Sequence, residues 1–532
     1  MASPDLADLL AKVLPTGLEI TLRHVSSTPT PCEALFAAAP GQVSEPTFCE
    51  NHFLSVSIEP DDEGETIIFG IEVLVYNTAH LTTIFVSKAD STGYLHHLKI
   101  PPKVSVLRLI SNTFLSFLAR SRQRPGVRLV ISLFARAQNQ YLFPGSIENA
   151  EKHVLDDRGL IKWWCRALDP ILREHEPESA IQEKKEVDQT VEAAKASATA
   201  YLIVPGCDRF ETRNFFPPTA KKDPQDRPRW LNSYPLKQLY HDPSAPPRCL
   251  VPRFPDDPKT RFLIDLDDEL PEEKEGQPVA PNAGYWRSVT SLDQFWEMMT
   301  FRQECSAGRL VGFVWLVINP PGLMNSTSME SQTRTSTNQS QISNGADAAI
   351  PQTQTAQVQG DQSESKEPST EKTTTISNLP DTSLDPPRGD GASAINPFHW
   401  PETGRGQVVL SEADYKKMMD TVLDHFYDKS EIVASTKAYV DQVCSLADQL
   451  TWGKKIVGSN TPSSDASQPV EAQTNNILDL GLLRKRKKSV GADNNPVADE
   501  VPAPGASGDT PVSEPAGVNV LNASLVRKKK KT

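Results

Sequence analysis

The chain has 532 residues, of which 38% are hydrophobic and 23% charged, and a formal net charge of −13. Its seven cysteines are odd in number, widely spaced and without a CxxC pair, which argues against a disulfide framework or a zinc site and fits a reducing compartment. The longest apolar stretch, Leu310 to Ile318, is too short to span a bilayer, and no apolar run follows a basic start, so neither a membrane span nor a secretory signal is expected.

Length alone suggests about three domains. Yet no aromatic residue lies between Trp315 and Phe398, and none follows Trp452. Stretches without large apolar side chains bury too little to offset chain entropy. The expected organisation is one large core over residues 1–320, interrupted by an exposed charged insertion at about 174–196. A Ser/Thr/Gln-rich linker over 321–397, a helical segment at 398–452 completing the domain and a disordered tail over 453–532 follow.

In chain order, Leu6, Leu9, Leu10 and Val13 have helical spacing. His52 to Ile58, Thr66 to Tyr76 and Leu81 to Val86 read as strands, the first two joined by the acidic turn Asp61-Asp62-Glu63-Gly64. Val106 to Leu118 switches to a helical period and is broken by Pro125-Gly126. Val127 to Phe134 reads as a buried central strand, and a helix from about Asp157 to Leu172 carries Leu160, Trp164, Leu168 and Ile171 on one stripe. Pro217 to Pro258 is Pro-rich and reads as an ordered but irregular loop. Ser291-x-x-Gln294 is a capping box opening a helix through Cys305, Leu310 to Ile318 is a last strand, and Leu410 to Leu450 holds two helices, the first capped by Ser411. The fold class is α/β, a central mixed sheet flanked by helices.

Common nucleotide and hydrolase signatures are missing: no GxxxxGK[ST], no HExxH, no Rossmann glycine fingerprint and no GxSxG elbow. The Arg/Gln-x-x-Gly-x-Gly/Ala pyrophosphate loop is absent too. Two basic runs, Arg484 to Lys488 and Arg527 to Lys531, lie in the tail, and the rest of the chain is acidic. An acidic body favours basic partners and disfavours direct DNA binding; runs of this kind signal nuclear import or contact with acidic surfaces.

Four segments carry a resemblance: Phe85 to Tyr94 (FVSKADSTGY), Gln140 to Pro144 (QYLFP), Lys162-Trp163-Trp164 and Phe254 to Lys259 (FPDDPK). In this order they resemble the fungal regulator of Ty transposition family, histone acetyltransferases that depend on histone chaperones and whose fold is similar to the CREB-binding-protein type. The resemblance covers about residues 1–320, and more weakly 400–452 and the basic tail. It implies acetyl transfer from acetyl-CoA, without metal, to lysines of histone H3. Position fifty-six and N-terminal tail lysines are the implied targets, in a nuclear setting of chromatin assembly and DNA damage response. Implied partners are H3–H4 and histone chaperones of the NAP and anti-silencing-function types, with no membrane and no sequence-specific DNA binding.

Residue by residue, the resemblance makes Ala89, Asp90 and Ser91 the strand end contacting the pantetheine arm. It makes Lys103, Val104, Ser105, Val106 and Leu107 the pyrophosphate loop, as a helix N-terminus beside a lysine would suit an anion. Leu107 departs from relatives that have a second basic residue there. Phe134, Arg136, Gln138, His153, Val154, Leu155 and Trp163 are implied cofactor contacts. Tyr141 and Trp164 match the walls of the substrate-lysine channel, where an apolar setting favours the neutral amine. Asp256 and Asp257 match the acidic pair beside it, either of which could take the amine proton, and Asp90 joins them in the catalytic set. Lys259 matches a lysine that family members acetylate on themselves. From pattern alone, Asp256-Asp257-Pro258 is an ordinary turn, and Trp163 and Trp164 point about 100° apart on a helix. A non-catalytic scaffold binding histone and chaperone is the alternative.

Overall fold

The structure, a computed structural model, describes residues 5–60, 64–101, 104–178, 196–240, 242–270, 284–302, 305, 308–321 and 396–461. Residues 61–63 of the expected acidic turn, most of the charged insertion, the linker, both basic runs and Lys103 lie outside the described residues. Chain order begins with α1 (Leu6–Val13) and five strands, β1 (Glu19–Ser27), β2 (Thr30–Cys32), β3 (Thr47–Ile58), β4 (Thr66–Asn77) and β5 (Leu81–Ser91). Helix α2 (Val106–Arg122) crosses over to β6 (Arg128–Ala135). Helix α3 (Asp157–Arg173) then leads to the short β7 (Glu176–Pro177) and to β8 (Ser197–Ile203). A loop-rich stretch carries α4 (Arg209–Arg213), β9 (Trp230–Leu231), α5 (Leu236–Leu239), α6 (Pro258–Asp267) and α7 (Leu292–Met299) before β10 (Gly312–Asn319). Residues 396–461 add β11 (Val408–Leu410), α8 (Glu412–Asp424), α9 (Ile432–Ala447) and β12 (Lys454–Val457).

The strands form one mixed sheet in the order β11-β1-β3-β4-β5-β6-β10-β8-β7, with β12 also on β1, β2 on β3 and β9 on β8. Pairing is antiparallel through β1-β3-β4-β5 and through β6-β10-β8. Between these blocks β5 and β6 run parallel, as the α2 crossover requires. Side chains alternate between the sheet faces with period two, which sorts the core into two. On β10, Val314, Leu316 and Ile318 enter the larger core with α1, α2, α3, α8 and α9. Phe313, Trp315 and Val317 enter a second core with α6 and α7. The fold is thus the expected α/β class. No described helix is long and apolar enough to cross a membrane.

Several elements depart from expectation, among them β12, which falls in the stretch expected as disordered tail and is ordered there by pairing with β1. β1 is a strand whose periodicity is hidden, because its polar Thr21, Arg23, His24 and Ser26 are buried. They find partners: Arg23 donates to Ser57 Oγ at 2.8 Å and to Glu65 at 3.0 Å, and His24 Nε2 lies 3.0 Å from His52 Nδ1. β3 starts at Thr47 rather than His52, since buried Glu50 accepts two hydrogen bonds from Arg122, at 2.6 and 3.0 Å. α7 stops at Met299 rather than Cys305, because the N–H groups of Phe301, Arg302 and Cys305 bond three residues back and the chain leaves the α-helix in successive turns. Residues 396–461 are built into the sheet: Ile67 N donates to Thr436 Oγ1 at 3.0 Å, and Arg122 donates to Thr403 O at 2.8 Å.

Candidate active site

A cleft opens where the parallel pair β5 and β6 parts. Their pairing ends at Val86 and Leu133, while β5 continues to Ser91 along β4 alone. The β6-side edge of Ala89 to Ser91 therefore faces no strand, and its backbone groups, apart from Ser91 N, which Asp90 Oδ1 holds, are open to an amide-bearing chain. This lies at the carboxyl ends of two parallel strands, where open α/β sheets bind ligands. The cleft measures about 800 Å³. Its walls are the β5 end, the 93–107 segment that opens α2, the 137–155 loop and the first turns of α3. Ala89, Asp90, Ser91, Val104, Ser105, Val106, Leu107, Gln138, Tyr141, His153, Val154, Leu155, Trp163 and Trp164 all line it.

Ser105 stands at the N-cap of α2 without a side-chain cap bond. A helix start leaves backbone N–H groups without intrahelical partners and carries a partial positive charge. These residues fit a phosphate, and the apolar lining farther in (Phe69, Leu95, Leu155, Leu160) fits an uncharged arm. Trp163 and Trp164 meet edge to face, with ring centroids 4.9 Å apart and planes at 88°. Trp164 is buried in the main core with one edge on the cleft, whereas Trp163 is half-buried.

Asp90 organises this wall. Its Oδ2 accepts the N–H groups of Tyr141 (2.7 Å), Leu142 (3.1 Å) and Phe143 (3.4 Å). Its Oδ1 accepts Ser91 N at 2.8 Å and the Lys152 ammonium at 2.9 Å. Lys152 is itself buried and donates to Ser146 Oγ at 2.6 Å. A carboxylate so engaged positions the Tyr141 loop rather than moving protons. Tyr141 is fixed at its other end, its hydroxyl donating to Arg136 O at 2.6 Å, and burial pushes its phenol well above the usual value, so it stays neutral. Asp157, at the start of α3, accepts Ala137 N (2.9 Å), Leu310 N (3.0 Å) and Arg309 (2.8 Å). Burial opposes its ionisation, but the Arg309 and backbone hydrogen bonds win and hold the carboxyl below its ordinary value. Neither Lys152 nor this role of Asp157 carries a signal in residue spacing.

Five of the sequence-derived residues stand outside the cleft lining. Phe134 packs against Phe85, 6.2 Å between centroids, and Arg136 contributes the carbonyl that holds Tyr141. Asp256, Asp257 and Lys259 come from the turn that opens α6. Phe254, before them, stacks on Phe85 of β5 at 4.1 Å. Asp257 caps α6, accepting Lys259 N at 2.9 Å, and its other oxygen pairs with the Lys259 ammonium. Both side chains are buried, with the ammonium 4.7 Å from the Phe313 ring centre. Burial pulls the Lys259 amine below an ordinary lysine, although Asp257 opposes it. Asp256 holds a positive φ of 58° and is 62% exposed, with Lys88 Nζ 3.1 Å away. A β-bulge between Glu72 and Val73 puts Ser87 and Lys88 on the same carboxylate, at 2.9 and 3.1 Å from Glu72 Oε2. Lys88 thereby ties the acidic turn to β5, two residues before Asp90. Among the described residues no group of three or more His, Cys, Asp or Glu side chains could hold a metal ion.

A cleft at a parallel strand end, with an anion-fitted helix start and an aromatic wall, fits a long ligand that has an anionic group and an apolar arm. The model of the histone acetyltransferase KAT11-type domain matches residues 6–126 and 123–442. The chain belongs to the KAT11-type histone acetyltransferase family, enzymes whose acetyl donor is acetyl-CoA. It is 56% identical to the histone acetyltransferase rtt109 of Aspergillus flavus over 99% of both chains. It is 31% identical to rtt109 of Schizosaccharomyces pombe, over 58% of this chain and 70% of that one. The crystal structure of Rtt109 from Aspergillus fumigatus superposes with a TM-score of 0.70 at 61% identity, covering 86% of this chain and 100% of that one.

Proposed function

We propose that this histone acetyltransferase modifies lysines of histone H3, position fifty-six and the N-terminal tail lysines among them. On this reading H3–H4 is presented by histone chaperones of the NAP and anti-silencing-function types, and the enzyme works in the nucleus, in chromatin assembly and the DNA damage response. The single observation that carries the reading is the 56% identity to rtt109 of Aspergillus flavus in an alignment that covers 99% of both chains. The acidic body and basic tail runs support the choice of basic histones and acidic carriers. The scaffold alternative gives way to membership of an enzyme family.

In the proposed reaction the pantetheine arm pairs with the free edge of Ala89 to Ser91, and its phosphates sit at the start of α2. The lysine amine enters beside Tyr141 and Trp164, where loss of water favours its neutral form. Attack on the thioester carbonyl forms the amide bond and breaks the C–S bond, and the leaving thiolate takes up a proton. Asp256, paired with Lys88 but 62% exposed, is the better proton acceptor of the two, because Asp257 is buried with both oxygens engaged, by Lys259 and by the α6 cap. Lys259, sealed beside Asp257 with a weakened hold on its proton, is the self-acetylation site of this reading.

The test mixes the full chain with labelled acetyl-CoA and H3–H4 bound to each chaperone class, beside a Trp164→Ala/Asp257→Ala variant, and maps acetyl groups by mass spectrometry. The reading expects label on H3 and on Lys259 in the parent and its loss in the variant. Transfer to other histones only, with H3 untouched under every chaperone, overturns the substrate assignment.

A further inference from the structure

A second concavity, of about 840 Å³, lies between α4, the 217–224 turn and β9. Its floor is aromatic and apolar: Phe216 and Trp230, with ring centroids 5.8 Å apart, together with Leu231 and Pro217. This floor is fixed from below. The Trp230 indole N–H donates to Asp169 Oδ1 of α3 at 2.9 Å, and Thr219 Oγ1 donates to Asp169 Oδ2 at 2.6 Å. Three cations, Arg209, Arg213 and Lys221, stand around it.

The charges there are unbalanced by design of the local contacts. The carboxylate in the lining, Asp223, is already taken up by Arg173, 3.1 Å away at the longer of two contacts, and by Arg229 N at 3.3 Å. Among the described residues no ion-pair partner lies on Arg209, Arg213 or Lys221. Arg209 and Arg213 are also four apart on one short helix, a spacing at which like charges repel mildly. Taken over residues 1–321 and 396–461 the formal net charge is −10, so these three cations stand on an acidic body.

We propose that this groove is a docking site for an extended acidic peptide segment of a partner protein, anchored by an apolar residue on the Phe216–Trp230 floor. It is separate from the acetyl-transfer cleft and independent of which lysine is modified. Charge complementarity selects the occupant: cations without ion-pair partners, grouped on an acidic body, attract carboxylates. A preformed aromatic floor favours an anchored peptide over nucleic acid. A duplex is too wide for a groove of this volume and would meet the repulsion of the whole surface.

The test uses the full chain and a fluorescein-labelled peptide of Asp and Glu with one central Leu, read by fluorescence anisotropy. Three proteins are compared: the parent, Arg209→Glu/Arg213→Glu/Lys221→Glu, and a variant with serine throughout 484–488 and 527–531. These groove side chains are exposed, and an unchanged melting curve confirms folding. The groove variant should bind at least about tenfold more weakly, a change of about 1.4 kcal/mol. The tail variant should stay within about twofold of the parent, with hydrogen-exchange protection over 209–233. Unchanged binding by the groove variant, with loss in the tail variant, overturns the proposal and makes the tails the acidic-peptide site. Displacement of the peptide by a single-stranded oligonucleotide at lower concentration than by unlabelled peptide overturns the choice of occupant.

Discussion

Replacing Asp90 by asparagine tests the central claim about the cleft wall. The carboxylate accepts three N–H groups of residues 141–143 on one oxygen, and Ser91 N and Lys152 on the other. An amide can satisfy only one of these sets. Whichever way it turns, its NH2 faces donors, and the buried Lys152 ammonium loses its counter-ion. Removing one partner of a buried pair costs about 3–5 kcal/mol, and the misdirected amide adds about 1–3 kcal/mol for the unsatisfied groups. Part of this is recovered if the Tyr141 loop relaxes, so about 3–5 kcal/mol is the expected loss in urea unfolding. Lys152→Met in the same background removes the stranded charge. The double variant should then be less destabilised than the sum of the singles by at least about 1 kcal/mol. Acetyl transfer should fall with the displacement of Tyr141. A loss below about 1 kcal/mol, or strict additivity with Lys152→Met, would refute the clamp and return Asp90 to a direct chemical role.

Other outcomes follow from the same geometry. Lys88→Met frees Asp256 from β5 and should lower kcat roughly tenfold with little change in KM for acetyl-CoA, while Lys88→Arg restores most of it; equal loss in Asp256→Asn and in the double variant would show that both act through one contact. Gly93 has a φ of +99°, and a Cβ there would lie 2.8 Å from Lys152 N; Gly93→Ala should cost about 1–3 kcal/mol and weaken acetyl-CoA binding measured by calorimetry, as the 150–155 wall is pushed out. Stability should fall in acid. Burial, with help from neighbouring charge, lowers His24, and burial lowers His52 against the pull of Glu50, so both stay neutral when folded. The unfolded chain takes up their protons as pH drops through 6.5, the ordinary histidine value, so the stability they support is present above it and lost below. Burial opposes ionisation of Glu50, but His52 and Arg122 outweigh it and hold the carboxyl at about 2, which extends the loss from 4.5 downward. Urea midpoints that do not change between pH 7.5 and pH 5 would contradict this, since each extra proton bound on unfolding costs about 1.4 kcal/mol per pH unit.

Legibility in the sequence tracked how each residue is satisfied. Elements whose apolar side chains repeat with one period were plain: α2, α3, β4, β6 and β10 lie within a few residues of their expected bounds. β1 was not, because buried Arg23 and His24 look like surface residues until Ser57, Glu65 and His52 are placed beside them by strand pairing. The cleft residues were read by resemblance of short motifs, and fourteen of them do meet in one cavity. Lys152 sits in the polar run Glu151-Lys152-His153 and takes meaning only from Asp90, sixty-two positions earlier. The second concavity was equally hidden, its lining looking like an irregular proline-rich loop until β9 joins the sheet edge.

The way β1 is flanked has a consequence for the integrity of the enzyme. Val25 to Ser27 pair with β11, and Glu19 to Leu22 pair with β12, both drawn from beyond residue 396. Tyr439 and Arg122 add cross-links between the same two parts. The sheet thus stitches residues 5–321 to residues 396–461 independently of the polypeptide that joins them. A single peptide cut between 321 and 396 should convert the enzyme into a complemented pair of fragments that co-purify and remain active. Loss of the second fragment would bare the β1 edge, and a bare strand edge invites self-association.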